Sequence, residues 1–132
     1  MKLLIPYIIL LICFQFFSIE AKAQGEILNN TKKFLKEGNS KSLSMDFAEI
    51  VELSFRGEKG NYSKTQAEFV LKDFFQHYPP IDFEYIHQGS SKEGLKYAIG
   101  KYTHKNGSFR VYILIKQFKG NYLIDTIDFS EE

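Results

Sequence analysis

Cysteine is nearly absent: Cys13 is the single thiol in 132 residues, and there is no tryptophan. One thiol excludes an intramolecular disulfide and any metal site built on paired cysteines. Proline is scarce, with three residues, so long stretches are free to form helix or strand. An excess of one charge is also missing. Seventeen basic residues stand against sixteen acidic ones, a formal net charge of +1. A general nucleic-acid binder needs surplus Lys and Arg to displace counterions, and the balance here argues against that class. No apolar run reaches the roughly 20 residues that a membrane-spanning helix requires.

The longest apolar run lies at the N-terminus. Lys2 precedes Leu3 to Phe17, interrupted only by Pro6 and Gln15, and Ala21-Lys22-Ala23 follows as a small-x-small cleavage pattern. This is the plan of a secretory signal peptide over residues 1–23. Cys13 follows Ile12 rather than a small residue, so a lipid anchor is not expected. The mature chain would span residues 24–132, or 132 − 23 = 109 residues. It loses Lys2, Lys22 and Glu20, leaving 17 − 2 = 15 basic and 16 − 1 = 15 acidic residues. The expectation is an exported, formally neutral single domain, periplasmic or secreted, with no membrane span after cleavage. Without a disulfide, it must be held by its core.

Aromatic residues are plentiful at 16%, and many lie in the stretch Leu95 to Phe129. That stretch reads as three antiparallel strands. Asn106-Gly107 marks the first hairpin as a two-residue type I′ loop. Tyr102 then faces Val111, Gly100 faces Ile113 and Ala98 faces Ile115. One face carries Phe109, Val111, Ile113 and Ile115 with Ala98, Gly100, Tyr102 and His104. The other carries Arg110, Tyr112, Leu114 and Lys116 with Tyr97, Ile99, Lys101 and Thr103. A second turn falls at Lys119-Gly120-Asn121. A three-residue loop with a bulge is expected there, because it places Leu123, Ile127 and Phe129 on the apolar face and buries no carboxylate, whereas a two-residue loop would place Ile124, Thr126 and Asp128 there.

Upstream, Ile27, Leu28, Thr31, Phe34 and Leu35 form one helical stripe that ends at Gly38. A short helix from Ser40 or Lys41 to about Phe47, capped by Asn39 or Ser40, comes next. Ala48 to Phe55 reads as a strand, Arg56 to Asn61 as a polar turn, and Tyr62 as a stub strand pairing back. Ser63-Lys64-Thr65-Gln66 is a capping box. It opens a helix whose stripe is Ala67, Val70, Leu71, Phe74, Phe75 and Tyr78, stopped by Pro79-Pro80. Phe83 to Gln88 is a strand, with Phe83, Tyr85 and His87 on one side. The class is α+β: N-terminal helices packed on a curved antiparallel sheet.

The element order is similar to the nuclear-transport-factor-2-like fold, a bent sheet wrapped around helices into a cone. The stretches Gly60 to Glu68, His87 to Ser91, Tyr97 to Gly100 and Phe109 to Tyr112 resemble a family of small exported proteins of unknown function from Gram-negative bacteria. That resemblance implies a fold and an exported location, and it supplies no catalytic residues.

For chemistry, the wider fold includes isomerases and dehydratases with an Asp or His base beside a Tyr donor. The polar groups open to such a role are Asp46, Asp82, Tyr85, His87, Tyr102 and His104. Tyr102 reads more readily as a core aromatic, and His104 as a turn residue. His77, His87 and His104 are too widely spaced for a metal site, and Gly89 to Gly94 lacks the phosphate-loop lysine. No cofactor is expected. Two binding sites remain. Tyr85, His87, Tyr102 and His104 would line a small-molecule pocket in the cone. Tyr97, Lys101, Arg110, Tyr112 and Lys116 would form an interaction face for a protein partner or a homodimer.

Overall fold

The computed structural model describes residues 25–91 and 93–132. The expected signal peptide therefore lies outside the described residues. Among them, no helix is long and apolar enough to cross a membrane. Helix α1 runs to residue 37 from the first described residue, 25. It buries Ile27, Thr31 and Leu35, as its stripe requires. Gly38 follows at φ +67, the left-handed turn that glycine adopts without strain. Helix α2, Ser40–Ser44, is capped by Asn39, whose side chain accepts from the Ser42 N–H.

Six strands form one sheet in the order β2-β1-β6-β5-β4-β3. They are β1 Phe47–Phe55, β2 Glu58–Ser63, β3 Asp82–Ser90, β4 Lys96–His104, β5 Gly107–Phe118 and β6 Asn121–Glu131. Helix α3, Lys64–His77, lies between β2 and β3 in the chain, and both hydrogen bonds of its capping box form. The expected α+β class holds. The sheet is mixed, because β1 pairs with β6 in parallel.

The helices cover the inner face of this curved sheet. Ala67, Leu71, Phe74 and Phe75 of α3 are buried. Phe74 is central: its ring lies 4.5 Å from Phe129, 4.9 Å from Phe55 and 5.5 Å from Phe109 between centroids. Gly100 is required here for close approach. The Phe83 ring occupies the place where a Cβ would project.

Several local expectations shift. The first hairpin loop is Lys105-Asn106, with His104 facing Gly107, Tyr102 facing Phe109 and Gly100 facing Val111. The Asn106 N–H donates to His104 Nδ1 at 3.3 Å, which sets the loop one residue earlier than the Asn-Gly pair suggests. Each partner moves by two residues, so both faces keep their membership. The loops with two positive φ angles are Arg56-Gly57 and Lys119-Gly120, the backbone of a type I′ turn.

Helix α2 stops before Phe47 because the chain is drawn into the sheet: the Ile124 N–H donates to the Asp46 carbonyl at 2.8 Å. The polar stretch Glu58 to Asn61 belongs to β2, where lysine and glycine suit a solvated edge strand. The last loop is the two-residue one, Phe118 facing Asn121, and a bulge at Asp125 inside β6 then changes the alternation. Ile124, Ile127 and Phe129 are all buried as a result, while Leu123 pairs with Lys116 on the outer face.

Candidate functional site

The inner face was the place for a ligand pocket, and its polar tips are already engaged. Tyr102 is completely buried, and its hydroxyl donates to the Tyr78 carbonyl at the C-cap of α3. A helix end leaves carbonyls without intrahelical partners, and the Tyr102 hydroxyl serves this one. The Tyr85 hydroxyl donates to the Leu28 carbonyl of α1 at 2.6 Å. Burial raises both tyrosine pKa values well above the ordinary range, so neither hydroxyl ionises easily. Each one ties the sheet to a helix.

The two histidines separate. His104 stays on the inner side at the hairpin end, stacked on Phe109 at 4.9 Å and edge-on to Tyr78 at 5.2 Å. His87 does not join Tyr85. Tyr85 pairs with Gly100 and His87 with Ile99, leaving Ile86 as an extra residue. This bulge turns His87 to the outer face, where its Nε2 lies 3.2 Å from the Tyr97 hydroxyl. A strict period of two could not reveal it.

The candidate acids are placed elsewhere. Asp82 pairs with Lys36 of α1 at 3.3 Å. Asp46 lies between α2 and β1. Burial raises its pKa, partly offset by Lys64 and reinforced by Glu26. Among the described residues no carboxylate is hydrogen-bonded or ion-paired to His87 or His104, and no group of His, Cys, Asp and Glu has metal-binding geometry. The interior is a contiguous apolar core that includes Phe47, Val51, Leu53, Phe74, Phe83, Tyr102 and Ile113. Recesses of about 820 Å³ beside Phe69 and Pro80, and about 590 Å³ beside Arg56 and Glu131, open at the surface away from Tyr102 and His104.

The outer face is different. Tyr97 and Tyr112 stack with centroids 6.3 Å apart, and His87 leans on Tyr97 at 5.7 Å. Tyr97 fits because residue 89 is glycine: its ring covers the space a Cβ would fill. In register, Ile99 faces Tyr112, Tyr97 faces Leu114 and Lys101 faces Arg110. Lys116 pairs with Asp125 at 3.5 Å. All five expected interaction residues thus share one face, with His87 added. An apolar recess of about 470 Å³, lined by Ile50, Phe118 and Leu123, continues the face beyond Lys116. The sequence left it unread because β1 and β6 part there, where their register shifts between Phe47 and Glu52.

A family model described as a domain of unknown function (DUF4783) matches residues 28–130. A crystal structure of a DUF4783 family protein from Bacteroides ovatus is 29% identical, with TM-score 0.73, covering 78% of this chain and 93% of that one. A second, from Bacteroides uniformis, is 26% identical at TM-score 0.73, covering 79% and 95%. A nuclear-transport-factor-2-like protein of unknown function from Silicibacter pomeroyi shares the fold at TM-score 0.59 and 11% identity, covering 88% and 98%. No functionally curated protein matches the chain.

Proposed function

This chain belongs to the DUF4783 family, and from that premise we propose that it is an exported, non-catalytic interaction domain that receives a protein partner on the outer face of its sheet. The observation that carries this reading is the contrast in hydroxyl use. The inner tyrosines spend theirs on helix carbonyls beside the apolar core. On the outer face the Tyr97 hydroxyl meets the exposed His87 and that of Tyr112 bonds nothing among the described residues, while the two rings are half-buried and stacked on adjacent strands. Aromatic and arginine side chains are enriched at interface cores, and a few such residues supply most of the binding energy.

A photo-crosslinking phenylalanine analogue placed at position 112 of the full chain, in its own cells, tests this. Position 69 on α3 serves as the control. A discrete protein adduct is expected from 112 and none from 69. The reading falls if 112 gives no adduct; a small molecule then found retained by the purified chain in native mass spectrometry would return function to the cone.

A further inference from the structure

We infer that the partner presents carboxylates: the outer face takes an acidic protein segment across Lys101 and Arg110, an inference that rests on the sheet-face reading above. Lys101 stands directly opposite Arg110 in the β4–β5 register, and like charges so placed are destabilising. An acid is at hand in the sequence, since Glu84 faces Lys101 from β3. It is diverted. Its carboxylate reaches α1 instead, 2.9 Å from Lys32 and 4.0 Å from Lys36. On the other side Arg110 faces Ser130, whose hydroxyl donates to the Arg110 carbonyl at 3.3 Å. Among the described residues neither cation has an ion-pair partner.

Two exposed cations are therefore held side by side, roughly 5 Å apart at Cβ, with no acid within ion-pair distance among the described residues; Asp128 faces Tyr112 one pair along. An arginine fork suits a carboxylate bidentately. One step along the strands lie Ile99 and Tyr112, then Tyr97 and Leu114, an apolar floor. The matching segment carries a carboxylate next to an aromatic or aliphatic side chain. Two cations on a formally neutral mature domain release too few counterions to hold a polyanion. A second copy related by a two-fold axis at this point would bring four cations together, so the face suits an unlike partner.

The substitution Lys101→Glu tests this because it separates stability from binding. It replaces the like-charge pair with Arg110 by an opposite-charge one, and the acid it faces on the other side, Glu84, is already offset by Lys32 and Lys36, so Tm does not fall. It also removes a cation from the partner's site, so crosslinking from position 112 falls at least tenfold. Misfolding cannot produce that combination. In parallel, acetyl-Glu-Tyr-Glu-amide and acetyl-Lys-Tyr-Lys-amide are titrated into the full chain and followed by amide chemical shifts. Saturable shifts centred on Lys101, Arg110 and Tyr112 are expected with the acidic peptide alone, and are lost in K101E/R110E. Equal responses to both peptides, or the same shifts from sodium acetate, overturn the inference. An undiminished adduct in K101E overturns the acidic partner while the sheet-face reading stands. No adduct in the unsubstituted chain removes both.

Discussion

Tyr102 and Tyr112 lie on neighbouring strands of one sheet, and their hydroxyls have different fates. Tyr102 points inward, is fully buried and bonds the end of α3. Tyr112 points outward, is half-buried and makes no hydrogen bond among the described residues beyond its strand's backbone pairing. The inner face uses aromatics to close a core, so their polar tips must find partners there. The outer face uses the same residue type under no such constraint. A side chain engaged by its own fold has little left to offer a ligand, whereas an unengaged one on a rigid strand is free to meet a partner.

Truncation should expose this contrast most strongly. Phe74→Ala empties the centre of a ring cluster formed with Phe55, Phe109 and Phe129, and should cost about 3–5 kcal/mol by denaturant unfolding. Tyr112→Ala should cost only about 1 kcal/mol. Comparable losses would break the distinction between faces.

A smaller effect sharpens the inner side. Tyr102→Phe keeps the ring and strands the Tyr78 carbonyl, at about 1–3 kcal/mol. The denaturation midpoint should fall with an unchanged slope. No change would mean that water serves that carbonyl equally well.

The smallest effect concerns pH. Burial raises the Asp46 pKa above its usual 3.8, so the folded state holds that proton more tightly than the unfolded state. Its contribution to stability is therefore greatest in acid and is lost as pH rises from 3.8 through the folded value. Asp46→Asn should flatten that decline and leave the protein slightly more stable at neutral pH. A steeper decline in the variant would contradict the assignment.

Much of the fold was legible in the residues. The Ile27–Leu35 stripe, Gly38, the Ser63 capping box and the Ala67–Phe75 stripe are local signals, and each formed as read. Alternation in β4 and β5 assigned the two faces correctly even though the turn was misplaced by one residue, because a two-residue slip preserves sidedness. The candidate site was legible in part. The five residues of the outer strip share one face, while a single extra residue at Ile86 carries His87 away from Tyr85, Tyr102 and His104 to the other side.

What the sequence determined by itself was whatever repeats within a turn of helix or along a strand: which faces are apolar, where helices start and stop, and how the charges balance. The tertiary structure decided the rest. It paired β1 with β6 in parallel, inserted the bulges at Ile86 and Asp125, drew Glu84 to the lysines of α1 and bonded Tyr85 to a carbonyl 57 residues away. Those choices depend on which distant backbone group meets each donor or charge, and no local period encodes that.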